Sequence, residues 1–424
     1  MGEYFDSQKV YVETFNDEHT VNLDVKIIGD PILVPPAEET PKGIYFLSNI
    51  DRGADMIQTI HCFSKTFDAK FSGAAQALKD GLAKVLVYYY PFAGRLTLNE
   101  KNKLAIDCTG EGALFVEAEA DCKLEEIGDL TQPNPATFKK LVHGEPGPVN
   151  IHENPPLFVA QVTKFKCGGL VLGLSQNHAV FDGIGAVEFM ISWGEVTRGL
   201  PLTTPPFLDR TLLKARTPLK TRFNIKALWE EEKLLHKSFI FHPGKLEKLR
   251  EKAMEDGVLK KCTTFEALTA FMLRARTKSL RLHPDQQVRL LFPVNARSRF
   301  DPPLPKGYFG NAIALKNCQC SVSEMLDSPL LVTNEYMRST IDSLEVYEPP
   351  LPKVHTLFIS VWTRIGFHTM DFGWGGPIFS GPATLPANVV FFLAHGEEKK
   401  GINLCLSLPV SAMKIFEETM SMIE

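Results

Sequence analysis

His178-Ala179-Val180-Phe181-Asp182-Gly183 is the stretch that decides how the rest of the sequence is arranged. Two apolar, β-rich runs precede it, at 157–165 and 170–174, and the Cys-Gly-Gly sequence between them predicts a tight reversal. An apolar stripe at the 3.6-residue period of a helix follows it, from 184 to 193. The stretch is therefore expected to join the end of a strand to the beginning of a helix.

His178 and Asp182 are expected to have different roles at this junction. The histidine follows a core strand, whose packing can hold a side chain rigidly at the edge of a cleft, and this suits a general base. The carboxylate of Asp182 is placed to cap the helix by accepting hydrogen bonds from its first backbone N–H groups. Gly183 allows the backbone to turn sharply. Taken alone, the spacing favours a structural histidine.

A second motif changes this balance. Residues 178–183 resemble the HxxxDG motif of the plant BAHD acyltransferases, and 371–375 (Asp-Phe-Gly-Trp-Gly) resemble the second signature of that family, DFGWG. The two motifs stand in the family's order. Residues 89–96, 264–268 and 308–311 resemble the family as well, so that the resemblance covers nearly the whole chain.

The resemblance implies an α/β fold with two pseudo-symmetric mixed-sheet domains, similar to chloramphenicol acetyltransferase, and an active-site channel between them. The length of 424 residues independently suggests more than one core. We expect an N-terminal domain at 1–199, which carries HxxxD, and a C-terminal domain at 237–424, which carries DFGWG. The proline-rich segment 200–236 is expected to be only a surface linker between them.

Hydrophobic periodicity predicts the remaining elements. Short strands are expected between 10 and 34. Longer strands are expected at 56–63, 104–107, 113–118, 237–241, 288–295, 356–362, 389–394 and 402–408. Helices are expected at 74–88, 243–256 and 264–280, and at the C-terminus along the apolar face of Met413, Phe416, Met420 and Ile423.

Composition excludes several classes of partner. The net charge of −4 gives no reason to expect nucleic acid or an acidic membrane surface. No apolar stretch approaches the ~18 residues of a membrane span. The eight cysteines lack metal-ligand spacing, so we expect no metal site and reduced thiols in the cytoplasm. The expected partners are small molecules, and the expected oligomeric state is a monomer.

The chemistry that the resemblance implies suits His178. An acyl-CoA thioester is already activated, so its transfer needs no covalent enzyme nucleophile, and the sequence contains no G-x-S-x-G motif. The reaction needs a base for the acceptor's proton and a donor for the oxyanion that develops. His178 is the candidate base, with acyl-CoA as a co-substrate and no bound cofactor.

Asp182 and Asp371 are expected to act mainly through structure. In the family the carboxylate that matches Asp182 turns away and pairs with an arginine, and Arg297 is the matching residue here. Asp371 is a candidate catalytic residue, but its position in a bent loop favours a structural role. The other residues of that loop motif are Gly373, Trp374 and Gly375.

Trp362 is the candidate oxyanion donor. Shikimate-using relatives carry a Thr-Ser-Trp sequence near the scissile carbonyl, where this chain has Ser360-Val361-Trp362. The indole is kept, and the first hydroxyl becomes that of a serine. An aromatic residue in the core of a strand is the competing interpretation.

The substrate-binding residues carry weaker signals. Nothing resembles a Walker loop or a Rossmann glycine fingerprint, so scattered loop contacts are expected for CoA. The candidates are Thr263, Thr264 and Arg297, although a threonine before a helix is more often only a cap. The candidate acceptor pocket consists of Thr59, His61, Tyr347 and Ser360.

The predicted substrate is based on three short segments of the sequence. Residues 45–49, 205–210 and 304–311 resemble hydroxycinnamoyl-CoA users, above all the feruloyl and caffeoyl transferases that act on ω-hydroxy fatty acids and fatty alcohols for suberin and cutin. In shikimate and quinate users, an arginine binds the carboxylate of the acceptor. Counting back from Ser360, the matching position in this chain is Tyr347. The alternatives are transfer to another alcohol, to shikimate, quinate or an amine, and a catalytically silent binding protein.

Overall fold

The computed structural model describes residues 23–53, 55–64, 73–132, 134–215, 234–257, 259–282, 287–321, 356–386, 388–396 and 398–422. Its strands are β1 (Val25–Ile27), β2 (Ile32–Val34), β3 (Ile44–Phe46), β4 (Met56–Phe63), β5 (Arg95–Leu98), β6 (Leu104–Asp107), β7 (Ala113–Ala120), β8 (Phe158–Phe165), β9 (Leu170–Asn177), β10 (Leu234–Phe241), β11 (Gln287–Asn295), β12 (Ile313–Ser321), β13 (Thr356–Val361), β14 (Phe379–Pro382), β15 (Val389–His395) and β16 (Gly401–Pro409). Its helices are α1 (Ala74–Tyr88), α2 (Pro135–Phe138), α3 (Gly183–Thr197), α4 (Pro243–Met254), α5 (Thr264–Ser279) and α6 (Val410–Met420).

The first sheet has the order β1-β7-β8-β9-β4-β14, and β2 also pairs with β7. Strands β8 and β9 form the antiparallel hairpin that the sequence predicts. β9 is longer than predicted, because Ser175 and Gln176 are buried and continue its pairing with both neighbouring strands. The last residue of β9 is Asn177, so the strand delivers the chain directly to His178.

Helices α1 and α3 cover one face of this sheet. Leu78, Leu82 and Val85 of α1 are fully buried, as the apolar stripe predicts. The indole N–H of Trp193 in α3 donates to the carbonyl of Leu78 at 3.0 Å, which joins the two helices. The helix that follows His178 therefore starts from a fixed position on the sheet.

The second sheet has the order β10-β16-β15-β13-β11-β12. Strands β15 and β16, which correspond to the strands predicted at 389–394 and 402–408, form an antiparallel hairpin. Helices α4, α5 and α6 pack on it around a separate apolar cluster that includes Leu268, Met272, Leu404 and Phe416. Strand β12, which is not among the predicted strands, pairs with β11 at one edge. A small third sheet has the order β3-β6-β5.

One late strand belongs to the first sheet. β14 pairs antiparallel with β4, with Ser380 opposite His61. The nearby Phe367, Met370 and Phe372 lie in the core beneath α3. A boundary drawn at 200–236 therefore separates these residues from the sheet and core to which they belong.

The connecting segment has buried side chains where it is described. Arg210 is 2% exposed and Leu213 is fully buried. A surface linker would leave such side chains in water, so the expectation of a linker alone is wrong for these two residues. Residues 216–233, like the short strands expected between 10 and 22, lie outside the described part of the chain. None of the described helices has the length and apolar character required to cross a membrane.

Candidate active site

His178 lies in a tight turn between β9 and α3. Its backbone N–H donates to the carbonyl of Asp55 at 2.9 Å, and its own carbonyl accepts from the side-chain amide of Asn311 at 2.8 Å. The side chain of Asn177 accepts from the N–H of Ala179 at 3.0 Å and closes the turn. The backbone is thus held on both sides, while His178 is exposed. A substrate can reach this histidine.

The carboxylate of Asp182 is directed into the protein and is 2% exposed. One oxygen accepts from the N–H groups of Ile184 and Gly185, at 3.1 and 3.0 Å, and caps α3. Arg297 donates to both oxygens, at 2.9 and 3.0 Å, and the N–H of Ala312 donates at 2.9 Å. Both contacts predicted for Asp182, the helix cap and the pairing with Arg297, are present. These contacts agree with the structural role expected for Asp182.

Arg297 joins the two halves of the chain at this point. Besides its bonds to Asp182, its guanidinium donates to the carbonyls of Tyr308 and Gly310, at 2.9 and 2.8 Å, and more weakly to the side chain of Asn295 at 3.4 Å. Each of the five N–H groups of the guanidinium therefore has an acceptor. A contact of Arg297 with CoA would have to replace one of these bonds, and it stays a prediction.

The indole of Trp362 is half-buried between Phe367 and Phe391, with ring centroids at 5.3 and 5.6 Å. Its N–H donates to the hydroxyl of Ser360 at 2.9 Å. The indole N–H is therefore already used, and a direct bond from Trp362 to an oxyanion would have to replace it. The Ser360 oxygen acts as the acceptor in this pair, so its own O–H proton remains available for another group.

The turn after Trp362 lies against the start of α3. A Cβ atom added at Gly183 would lie 3.1 Å from the side chain of Ile365, and one at Gly366 would lie 3.9 Å from Val187. Gly183 thus permits a close contact between the HxxxDG turn and the Trp362 segment. The fold brings these two predicted parts of the site into contact.

Asp371 holds its own loop. Its carboxylate accepts from the N–H groups of Gly373 and Gly375, at 2.8 and 2.9 Å, and faces Arg198 at 3.3 Å. The two glycines have φ of +107° and +89°, a conformation that side chains rarely adopt. These contacts agree with the structural role that the bent loop favours for Asp371, and a catalytic role for Asp371 stays a prediction.

The aromatic residues of the same motif anchor the loop on the first core. Phe372 is 3% exposed, and its ring centroid is 5.3 Å from that of Trp193 and 5.8 Å from that of Trp374. A Cβ atom at Gly194 of α3 would lie only 2.3 Å from the carbonyl of Asp371. The loop and the helix therefore approach each other closely, backbone against backbone.

Thr59 and His61 of the predicted acceptor pocket are buried. The His61 ring is within hydrogen-bond distance of the hydroxyls of Thr59 and Ser380, at 3.1 and 2.9 Å, and its centroid is 5.1 Å from that of Phe367. Burial lowers the pKa of His61 to about 3, so the ring is neutral. Phe367 also contacts Trp362, which places His61 behind the Trp362 segment. Tyr347 lies outside the described residues.

Thr263 is the N-cap of α5. Its hydroxyl accepts from the Glu266 N–H at 3.2 Å, and its backbone N–H donates to the Glu266 carboxylate at 2.7 Å, which together form a complete capping box. Thr264, the first residue of the helix, is half-buried. The cap explains Thr263 without any ligand. In the described residues, no group of His, Cys, Asp or Glu side chains has a metal-binding arrangement.

Two buried residues that no sequence pattern indicates, Arg210 and Asn311, donate to carbonyls of the His178 turn. A third, Asp51, is buried behind them and accepts from Asn311. Each lies within or beside a stretch that resembles the family, but none has a periodicity or spacing that marks it. The one sequence signal is the charged pair Asp209-Arg210, which stands in a mostly apolar stretch.

The structure has the features that the resemblance to the acyltransferases implies. They are an exposed histidine after a core strand, an aspartate turned towards an arginine, and two mixed sheets. A family model described as the Transferase family matches residues 23–423. The ω-hydroxypalmitate O-feruloyl transferase of Arabidopsis thaliana is 50% identical over 92% of this chain and 91% of its own length. The fatty alcohol:caffeoyl-CoA acyltransferase of the same plant is 46% identical over 92% of this chain and 97% of its own length.

More distant proteins share the fold. The shikimate O-hydroxycinnamoyltransferase of Nicotiana tabacum is 32% identical over 92% of this chain and 98% of its own length. The crystal structure of vinorine synthase matches with a TM-score of 0.71 at 22% identity, over 92% of this chain and 96% of that one. TRI101 of F. sporotrichioides, complexed with coenzyme A and T-2, matches with a TM-score of 0.71 at 16% identity, over 88% and 97% of the two chains.

The chain belongs to the Transferase family, the BAHD acyltransferases. The predicted family, the two-domain α/β fold and the enzyme class, an acyl-CoA-dependent O-acyltransferase, are confirmed.

Proposed function

We propose that the chain transfers a hydroxycinnamoyl group, feruloyl or caffeoyl, from CoA to the hydroxyl of a long-chain alcohol or an ω-hydroxy fatty acid. The observation that carries the proposal is the 50% and 46% identity, along nearly the full length, to two relatives whose names give these substrates. The relative named for shikimate is 32% identical. Roles in suberin or cutin formation follow from the same acceptors.

His178 is the proposed general base. Its imidazole takes the proton of the acceptor hydroxyl while the oxygen attacks the thioester carbonyl carbon and forms a tetrahedral intermediate. Collapse of this intermediate breaks the C–S bond, and the imidazolium returns the proton to the departing CoA thiolate. The exposed side chain and the fixed backbone of His178 support this role. No covalent acyl-enzyme is required.

Ser360 is the proposed donor to the oxyanion, with Trp362 orienting it. The indole N–H occupies an acceptor site on the Ser360 oxygen at 2.9 Å, which directs the hydroxyl proton to a different partner. A preorganised donor of this kind stabilises the negative oxygen more strongly in the transition state than in the ground state. The packing of the Ile365 turn on Gly183 supports the proximity of this segment to the His178 turn.

We propose that acyl-CoA binds as a small molecule near the N-terminus of α5, where the half-buried Thr264 offers a hydroxyl and the helix dipole favours negative phosphate groups. A cytoplasmic monomer is proposed from the composition, and gel filtration of the purified chain tests the oligomeric state.

The acceptor series tests the proposed function. With feruloyl-CoA, kcat/KM should rise from hexanol to hexadecanol, since each buried methylene contributes ~0.8 kcal/mol, about fourfold, until the channel ends. Shikimate should be poor, because position 347, where shikimate users place an arginine for its carboxylate, is a tyrosine in this sequence. A preference for shikimate or for an amine would overturn the acceptor assignment. Absence of turnover with every pair would favour a silent binding protein.

A further inference from the structure

We propose that Arg210, Asn311 and Asp51 are positioning residues that hold the turn of His178 in its catalytic geometry. The proposal rests on the proposed role of His178 as the base. It assigns a function to three buried polar side chains that do not belong to either signature motif.

The carbonyl groups of three consecutive residues of the turn each accept from one of these side chains. The amide of Asn311 donates to the carbonyl of His178 at 2.8 Å. The guanidinium of Arg210 donates to the carbonyl of Ala179 at 3.0 Å and also to that of Val180. These residues lie between the end of β9 and the beginning of α3. The turn therefore depends on side chains from elsewhere for its carbonyl partners.

Asp51 fixes both donors. One of its oxygens accepts from Arg210 at 3.0 Å and from the side chain and backbone of Asn311, at 2.9 and 3.0 Å. Its other oxygen accepts from the N–H and hydroxyl of Ser48, at 2.8 and 2.7 Å. Asp51 is fully buried, and Arg210 and Asn311 are each 2% exposed. The three side chains thus form one connected, water-excluded network.

Arg210 also packs between two aromatic rings. Its guanidinium carbon lies 5.4 Å from the ring centroid of Tyr45 and 5.0 Å from that of Phe309. Burial lowers the pKa of Arg210, the carboxylate of Asp51 raises it, and the net shift is upward. The cation therefore persists, and its planar fork can hold two adjacent carbonyls in one orientation.

The network connects distant parts of the chain to one turn. Asp51 follows β3, Arg210 belongs to the crossover segment, and Asn311 precedes β12 of the second sheet. A general base acts only within hydrogen-bond reach of the proton that it takes, and a misplacement of about 1 Å can cost ~10²-fold in rate. Loosening the turn should therefore reduce turnover even where the protein remains folded.

Asn311→Ala is the mildest test. The backbone N–H of Asn311 still donates to Asp51, and Arg210 and Ser48 still pair with it, so the fold keeps most of the network. With feruloyl-CoA and the best acceptor of the series, kcat should fall about tenfold or more, while KM for the thioester changes by less than about twofold.

Asn403→Ala is the matched control. Asn403 is also 2% exposed, and its side-chain amide also donates to a backbone carbonyl, that of Thr131. Its described contacts do not involve the turn. Both variants should lose a similar amount of thermal stability, but only Asn311→Ala should lose kcat. Equal kcat values in the two variants would overturn the proposal.

Arg210→Lys is the second variant, for the case that Asn311→Ala does not fold. Lysine keeps the charge beside Asp51 but cannot hold two carbonyls with a planar fork. Arg276→Lys is its control, because Arg276 is 4% exposed and donates to the side chain of Asn388 at 3.1 Å. Arg210→Lys should lower kcat, and Arg276→Lys should not. An unchanged kcat in Arg210→Lys would contradict the proposal.

A double-mutant cycle separates positioning from a general structural effect. If Asn311 acts through His178, adding Asn311→Ala to His178→Ala should leave the residual rate unchanged. A further loss of the same size as in the wild type would show that Asn311 acts elsewhere. If His178→Ala itself keeps more than about a tenth of the turnover, the proposed base is wrong. If it is inactive while Asn311→Ala keeps full kcat, only the positioning proposal fails.

Discussion

At the residue scale, His61 shows how burial decides the charge of a side chain. The ring lies between the hydroxyls of Thr59 and Ser380. Burial, and not a neighbouring charge, is what shifts its pKa. Burial alone lowers the pKa of His61 to about 3, so the folded protein keeps the ring neutral. Behind Trp362, the neutral ring of His61 therefore makes one hydrogen bond between β4 and β14 and one within β4.

This burial predicts a loss of stability in acid. The folded pKa of His61 is depressed, so below the unfolded value of about 6.5 the unfolded chain binds a proton that the folded chain does not. Above pH 6.5 the histidine is neutral in both states and does not reduce the free energy of unfolding. As the pH drops from 6.5 towards 3, the free energy of unfolding falls. From pH 7 to pH 5 this single group should remove about 2 kcal/mol from the free energy of unfolding.

Urea titrations across this pH range would measure the effect. His61→Gln should have a shallower dependence of unfolding free energy on pH than the wild type. His152→Gln, at an exposed histidine, should keep the wild-type slope. If all three proteins have the same slope, His61 is not the residue that carries this part of the acid sensitivity.

At the element scale, α3 is the helix on which both signature motifs depend. Asp182 caps its first turn, and Gly194 in its last turns approaches the backbone of Asp371. Gly185 makes a similar approach near the start, where an added Cβ would lie 1.9 Å from the carbonyl of Phe309. Gly185 and Gly194 therefore permit backbone contacts that a Cβ atom would prevent, at the expense of helix propensity.

Gly194→Ala tests this close approach. Alanine is the better helix former, by ~1 kcal/mol, so an unhindered site would be stabilised. Here the new methyl would lie 2.3 Å from the carbonyl of Asp371, so the loop must move and the melting temperature should fall instead. Gly244→Ala in α4, where an added Cβ has nothing within 4 Å, is the control and should not destabilise. A stabilised Gly194→Ala protein would show that the loop yields without cost.

Regular elements were predictable where periodicity was strong. The bounds of α1 and β4 agree with their predicted ranges, since both follow from an unbroken apolar pattern. Strand β14 was not found, because a four-residue stretch that contains glycine and proline has no strand pattern until β4 pairs with it. The predicted helix at 243–256 ends at Met254, and the predicted strand at 356–362 ends at Val361.

The candidate site divides in the same way. The motifs pointed to His178 and to the pairing of Asp182 with Arg297, because both follow from local sequence that matches a family. The sequence predicts a linker for the segment that contains Arg210. It does not reveal the burial of Arg210, because its partner Asp51 and the neighbouring Asn311 lie far from it in sequence. Long-range convergence of this kind leaves no local pattern to find.

At the scale of the whole molecule, the pair of Asp182 and Arg297 connects the first core to the second. Asp182 begins α3 on the first sheet, whereas Arg297 follows β11 and bonds the carbonyls of the segment that leads into β12. Strand β14 adds a second connection, since it leaves the second half to pair with β4. The two sheets should therefore lose their structure together.

Asp182→Asn tests this coupling. An asparagine can still cap α3, but it removes the charge that the largely buried Arg297 needs, which should cost about 3–5 kcal/mol. Because the pair joins both halves, the most protected amides of β9 and of β11 should lose the same amount of protection in hydrogen exchange. Turnover should fall as well, since the cap lies four residues after His178 in the sequence.

Asp129→Asn is the matched control for this measurement. Asp129 is exposed and caps a turn by accepting from the N–H and hydroxyl of Thr131, without an arginine partner. Its substitution should leave the protection of both strands unchanged. If Asp182→Asn weakens only β9 and spares β11, the two sheets open independently, and the ion pair stabilises only the turn in which Asp182 lies.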